Sequence, residues 1–304
     1  MNKVEFSSQL HEFVKLLQHH VSSPDGQWSV KGFIDVYKNL YTISHDTKIV
    51  SKVLEIHIFP LLLKWAESID FAIVLAEKQN WYPDLSFVCK TNQKIKYAID
   101  LKTTYRDLAC PGHVNGFTLG SHGAYFRDRK STKNIQYPYS EYQGHFCLGA
   151  IYTRSADAID ETRVMVVSDV KEEYNAGVDH LGEASLLKID KLSSVTSVIR
   201  DFQFFACQKW QLASDRQGSG NTANIGSITF IDDIINGNGT FARLGEEVFD
   251  EYCMNYGLAK MKKDDADITI KRIEDFASFR KLDATLINRM KTKRKTKATD
   301  DTED

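Results

Sequence analysis

Cysteine and proline are scarce in this chain, five of each in 304 residues, and no long apolar run is present. Cys89, Cys110, Cys147, Cys207 and Cys253 are odd in number, scattered and never spaced as CxxC. That excludes a disulfide-stapled scaffold, argues against a structural zinc site, and leads us to expect reduced thiols in a cytoplasm. No stretch reaches the ~18–20 apolar residues that cross a bilayer, so no membrane partner is expected. The opening MNKVEFSSQLHEFV carries Glu5 and His11 where a signal peptide keeps an unbroken apolar core, so export by that route is not expected. An excess of one charge is missing too: 39 Lys and Arg face 41 Asp and Glu, a net charge of −2. The balance neither supports nor excludes nucleic acid, because an enzyme that cleaves it needs clustered carboxylates as well as basic residues. HExxH, GxSxG and Walker A motifs are absent, and the nine histidines form no metal-ligand pattern.

What is there is an ordinary globular composition, 42% apolar and 26% charged, enough for one large domain or two closely packed ones. Residues 4–21 place Val4, Leu10, Phe13, Val14, Leu17 and Val21 at spacings of three, four, six and one, an amphipathic helix. Gly32 to Ile43 changes period and reads as a β-hairpin turning at Lys38-Asn39. Asp46 caps a second expected helix running to about Glu67, with a break or kink at Pro60. Strands are expected at Leu85–Lys90, Ile95–Thr103, Phe146–Tyr152, Val164–Val167 and Ser227–Ile231, with one or two helices in 168–200 and two more at about 244–257 and 270–291. The end, KTKRKTK then DDTED, reads as a solvated charged tail.

The informative segment is YPDLSFVCKTNQKIKYAIDLKTTY, Tyr82 to Tyr105. Alternation along its second strand puts Tyr97, Ile99 and Leu101 on one face and Ala98, Asp100 and Lys102 on the other. Folding the hairpin about Asn92-Gln93 brings Asp84 opposite Asp100 or Leu101. Two carboxylates and a lysine then converge at one end of the hairpin, where neighbouring like charges repel unless a hard cation separates them. That is equipment for metal-assisted phosphodiester hydrolysis. The plain alternative is an exposed Asp–Lys pair on an edge strand beside an unrelated turn Asp.

Pro83-Asp84 followed by Asp100-Leu101-Lys102 is the PD-(D/E)xK nuclease signature, and its surroundings resemble type II restriction endonucleases of the EcoRV family. The likeness continues through Asp46-Thr47-Lys48, Gln79–Asp84, Ala98–Tyr105, Phe117–Gly120, Thr132–Ile135, Ile151–Arg154, Lys209-Trp210 and Gly218–Ile228, in order. The resemblance implies an α/β restriction-endonuclease-like fold with a central mixed β-sheet flanked by helices. It implies a single nuclease domain over 1–290, with the hairpin at about 33–43 and part of 150–200 as dimerisation subdomain, a recognition loop at about 214–226 and a charged tail at 291–304.

By the same resemblance Asp84 and Asp100 are metal-binding carboxylates, Mg²⁺ the cofactor, Lys102 the catalytic lysine and Glu55 a further carboxylate near the site. For Glu55 plain helix surface is the competing reading. Lys48, Thr103, Thr104, Tyr105 and Lys133 become candidates for phosphate contacts, and Gln79 and Asn80 for the minor groove. Gly218, Gly220, Asn221, Thr222 and Asn224 fall in the recognition loop. Read alone, this glycine run suggests either a dinucleotide loop or a flexible surface loop, but an apolar strand pattern follows it where a helix should open. Because these positions match the family's, the resemblance implies a GATATC-like palindrome cut blunt, and Asn pairing with adenine and a Thr methyl meeting thymine agree with it. The partners implied are double-stranded DNA and a second copy of the chain, in the cytoplasm of a prokaryotic cell that carries a cognate DNA methyltransferase. A structure-specific or repair nuclease, or a non-catalytic DNA-binding module, are the alternatives. Ala223 and Trp81 depart from the family, which has Thr and His there, and 155–205 is longer and unlike it.

Overall fold

Asn2 starts the first helix by accepting from the backbone N–H groups of Val4 and Glu5, while the Glu5 carboxylate accepts from the Asn2 N–H, a capping box. Helix α1 (Lys3–Val21) buries Phe6, Leu10, Phe13, Leu17 and Val21. The structure is a computed structural model and describes residues 1–37, 39–78, 80–155, 164–166, 195–218, 224–263 and 266–291. Most of the 168–200 segment, with the helices expected in it, and the tail from 292 lie outside the described residues. A hairpin of β1 (Gly32–Ile34) and β2 (Asn39–Thr42) follows, with the Asp35 carboxylate accepting from the Tyr37 and Asn39 N–H groups in its turn.

Asp46 caps α2 (Thr47–Ser68) as expected, but the helix runs unbroken through Pro60. Proline forfeits one backbone hydrogen bond. Pro60 is exposed, and the buried Val50, Leu54, Ile58, Leu62 and Trp65 hold the helix down on both sides of it.

Strands β3 (Phe71–Leu75), β4 (Leu85–Cys89) and β5 (Lys96–Tyr105) come next, then β6 (Thr118–Ser121), β7 (Gly144–Arg154), β8 (Val164–Val166) and β9 (Ile199–Gln208). The central sheet has the order β3-β4-β5-β7-β9, with β5 and β7 parallel and the other neighbours antiparallel, while β8 extends the β1-β2 hairpin. The mixed sheet expected from the sequence is present, with a core on each face. One core joins α1 and α2 to Phe87, Tyr97, Ile99, Phe146, Leu148 and Tyr152. The other joins Ala98, Cys147, Ile151, Phe205 and Cys207 to the aromatic cluster Tyr82, Tyr125, Phe126 and Tyr139 and to the C-terminal helices. Gly149 is glycine because the Phe205 ring lies directly over its α-carbon, where any Cβ would collide.

A short helix α3 (Lys209–Leu212) carries the chain into a smaller sheet of β10 (Ala213–Gln217), β11 (Asn224–Ser227) and β6, in the order β10-β11-β6. The strand expected at Ser227–Ile231 is a correction: β11 ends at Ser227, and Ile231 opens α4 (Ile231–Ile235). Asp232 and Asp233 in the first turn suit the positive end of a helix, and Ile228, Ile231 and Ile234 recur at helical rather than strand spacing. Helix α5 (Glu246–Asn255) is followed by an unexpected hairpin, β12 (Lys260–Lys263) and β13 (Ala266–Thr269). The helix expected over 270–291 is only α6 (Ile273–Arg280), stopped where Lys281 turns left-handed at φ 55 and the Leu282 N–H donates to the Ala277 carbonyl.

The helical core rests on Phe6, fully buried and stacked on Tyr97 at 4.0 Å between ring centroids. Phe6→Ala is expected to destabilise the fold by about 3–5 kcal/mol, measured as a lowered denaturant midpoint; a shift under a third of that would show that the two helices close over the cavity.

Candidate active site

The register of β4 on β5 pairs Leu85 with Ile99, which sets Asp84 level with Asp100 and decides between the two registers left open by the sequence. Because β4 begins at Leu85, the Leu101 N–H has no strand opposite it, and the Asp84 carboxylate accepts it at 2.7 Å. Asp100, 6% exposed, stands on the opposite face from Ile99 and Leu101 and pairs with the Lys102 ammonium at 2.7 Å. The hairpin thus gathers Asp84, Asp100 and Lys102 at one end.

Burial, and then the neighbouring Asp100 charge, push the Asp84 carboxyl up to about 7. Burial would do the same to Asp100, but the Lys102 ammonium, a hydrogen bond shared with Asp84 and the charge of Lys209 together hold it below the usual carboxylate value. Burial works against a charged Lys102, yet the two carboxylates outweigh it and keep its pKa above that of an ordinary lysine. In the absence of a cation, then, the two aspartates share a place that suits only one negative charge. The donor set is all oxygen and fits a hard divalent cation. Among the described residues no cluster of three or more His, Cys, Asp or Glu is positioned to hold a metal.

On the α2 side of the sheet a cavity of about 540 Å³ opens beside Asp84, walled by Lys52, Glu55, Phe59, Trp81 and Leu101. Glu55 therefore shares a cavity with Asp84, and Lys52 bonds it at 2.8 Å. That hydrogen bond, helped by the Asp84 charge, raises the Lys52 pKa. On the other side of the sheet the site is roofed by aromatic rings: Tyr82 stacks near Tyr125 at 5.3 Å, and its hydroxyl bonds the Nδ1 of His145 at 3.0 Å. Lys52 and this roof were missed in the sequence. The roof has no local signature, although Lys209-Trp210 stood among the blocks of the resemblance.

The candidate DNA contacts fall in different places. Lys48, Asn80 and Lys133 are exposed. Thr103 is hydrogen-bonded to Ser51 of α2, and Tyr105 lies under the Arg154 guanidinium at 3.5 Å. Thr104 is buried, and its hydroxyl has no partner among the described residues, so in this conformation it is not open to a phosphate. Gly218 is close-packed against Thr118, and its N–H already donates to the Asn224 carbonyl. Asn224 sits in β11 opposite Ser121. Beside them a cavity of about 310 Å³ opens between Asn115–Thr118 and Gln217-Gly218. Gln79, Gly220, Asn221 and Thr222 lie outside the described residues.

Comparison with known proteins places these features together. The family model described as Restriction endonuclease EcoRV matches residues 24–181 and 172–281. The type II restriction enzyme EcoRV of Escherichia coli is 30% identical over 240 residues, covering 79% of this chain and 86% of that protein.

A carboxyl whose pKa is higher in the fold than in the unfolded chain favours folding when protonated and loses that advantage as pH rises through its folded value. With Asp84 raised from 3.8 to about 7, the metal-free protein is penalised at pH 8 and far less at pH 4.5. Asp84→Asn is therefore expected to raise the melting temperature of metal-free protein clearly more at pH 8 than at pH 4.5; an equal shift at both would show that the carboxylate repulsion is not what the substitution relieves.

Proposed function

The chain belongs to the EcoRV family of type II restriction endonucleases, site-specific deoxyribonucleases that act on double-stranded DNA; from that premise we propose that Asp84 and Asp100 hold Mg²⁺ and that Lys102 completes the catalytic set. The observation that carries this reading is the hairpin end itself, where a half-buried and a buried carboxylate, Asp84 and Asp100, meet with one ammonium between β4 and β7. Bound there, Mg²⁺ would polarise a phosphoryl oxygen and lower the pKa of a coordinated water. Asp100 holds the Lys102 ammonium by its 2.7 Å bond, and the ammonium stabilises the negative charge that builds on the phosphate as the bond to the leaving oxygen breaks. Asp84 is fixed by the Leu101 N–H, and its neighbour Pro83 cannot donate to a strand, so the carboxylate is presented at the strand's start. Glu55 and Lys52, sharing the cavity with Asp84, are placed to orient water or the adjacent phosphate.

Lys48, Thr103, Tyr105 and Lys133 are assigned to the DNA backbone, and Gln79 and Asn80 to the minor groove. Gly218, Gly220, Asn221, Thr222 and Asn224 read base edges from the loop between β10 and β11, for which a GATATC-like palindrome cut blunt is the target that their chemistry suits best. A palindrome is cut on both strands by a two-fold symmetric protein. The β1-β2 hairpin supports this dimer reading: Phe33, Ile34, Val36, Tyr37 and Tyr41 are all exposed, an apolar patch that a second copy would cover. The protein works in the cytoplasm of a cell whose own sites a cognate methyltransferase protects; no helix among the described residues is long and apolar enough to cross a membrane.

Digestion of a long, fully sequenced DNA with purified protein and Mg²⁺, followed by end sequencing, is expected to give discrete fragments sharing one terminal sequence. Smears or nicks without a common end would sink the site-specific reading for this chain. Asp100→Ala and Lys102→Ala are each expected to lower the cleavage rate by about 10³-fold or more with far-UV circular dichroism retained. Near-full activity in either would remove that residue from the mechanism.

A further inference from the structure

Lys209, the first residue of α3, is 1% exposed, and its ammonium has no hydrogen-bond partner among the described residues. Its Nζ lies 4.7 Å from the ring centroid of Tyr82, 5.6 Å from Phe126 and 5.9 Å from Tyr139. Gly120 makes the room, since a Cβ there would come within 3.2 Å of the Nζ. Aromatic faces attract a cation but offset only part of what burying an ammonium costs. A methionine would fill the same stem without that cost, so packing does not explain a lysine here. The carboxylate whose charge it feels is Asp100; Cys147, Lys102 and Cys253 also act on it, and its charge in turn acts on His145 and His122. Burial pulls its pKa down and Asp100 opposes that.

We propose that Lys209 is a positioning residue acting through Asp100, a fixed buried counter-charge that holds the affinity of the Asp84–Asp100 pair for divalent cations low in the DNA-free protein. It rests on the reading of those two aspartates as metal ligands. Lys102 and Lys209 set two ammonium groups against a pair of aspartates that together suit only one negative charge, so the metal-free site holds no excess of negative charge. A cation entering it gains little until the substrate's phosphate adds negative charge.

The test is titration of Mn²⁺ into the full chain without DNA, with free Mn²⁺ followed by electron paramagnetic resonance. Wild type, Lys209→Met, Lys209→Gln and Asp100→Asn are compared, each with a thermal melt of metal-free protein. Both Lys209 variants are expected to bind Mn²⁺ at least about tenfold more tightly than wild type, with the melting temperature of Lys209→Met no lower. Unchanged or weaker Mn²⁺ binding by folded Lys209 variants overturns the proposal. So does failure of both to fold, which would make the cation a packing element of the aromatic roof. If Asp100→Asn binds Mn²⁺ as well as wild type does, the metal assignment itself fails, an outcome separate from the other two.

Discussion

Everything at the candidate site depends on the register of two antiparallel strands. Shifting β4 by one residue along β5 would separate Asp84 from Asp100 and turn every β4 side chain to the opposite face. The fold forbids the slip because β4 is buried along its whole length. Leu85, Phe87 and Cys89 belong to the helical core, while the Ser86 hydroxyl bonds Tyr142 on the other side at 2.7 Å. Reversing the faces would bury Ser86 among aliphatic groups and break that bond, a penalty of the kind that fixes strand pairing wherever both faces are packed.

The same register loads the molecule with an electrostatic strain. Two carboxylates are brought together where little water reaches them, and a raised Asp84 pKa is the direct expression of that cost. Structural packing alone gives no reason to keep both, whereas the proposed metal site does. Lys209, without a hydrogen-bond partner among the described residues, and the tightly paired Lys102 follow from the same balance of charge, since each ammonium partly neutralises what the strands impose.

How much of this was legible in the sequence follows from the range of the signals. Helix α1 and the opposite facing of Ile99 and Asp100 are written in local periodicity and appear in the structure as read. Strands β3 and β9 were not seen, because FAIVL and FQFFACQ are packed on both faces or at an edge and so lack clean alternation. Polar residues hid β10, where Ser214 and Asp215 are buried; Asp215 is matched by Arg272 at 3.0 Å, a partner 57 positions away that no local reading supplies. Pro60 misled in the other direction, since tertiary packing overrides a lost hydrogen bond. At the site, the triad was legible from spacing and resemblance together. The ring of Tyr82, Phe126 and Tyr139 around Lys209 was not, because four distant segments must fold before it exists.

That ring also bears on how chemistry and recognition are held in one frame. The chain leaves the catalytic sheet at Gln208, passes through the four residues of α3 and enters β10, the strand that leads into the glycine-rich loop. Lys209 and Leu212, at the two ends of that connection, are both buried, and the Ile228 N–H at the far end of the loop donates to the Leu212 carbonyl at 2.9 Å. Both ends of the loop are thus tied to a connection that is itself wedged under the aromatic roof of the carboxylates. A four-residue link fixed by burial at each end leaves little freedom for the loop's base to move relative to Asp100. On the proposed reading of this loop, base edges would be met from a loop base that the fold itself holds against Asp100.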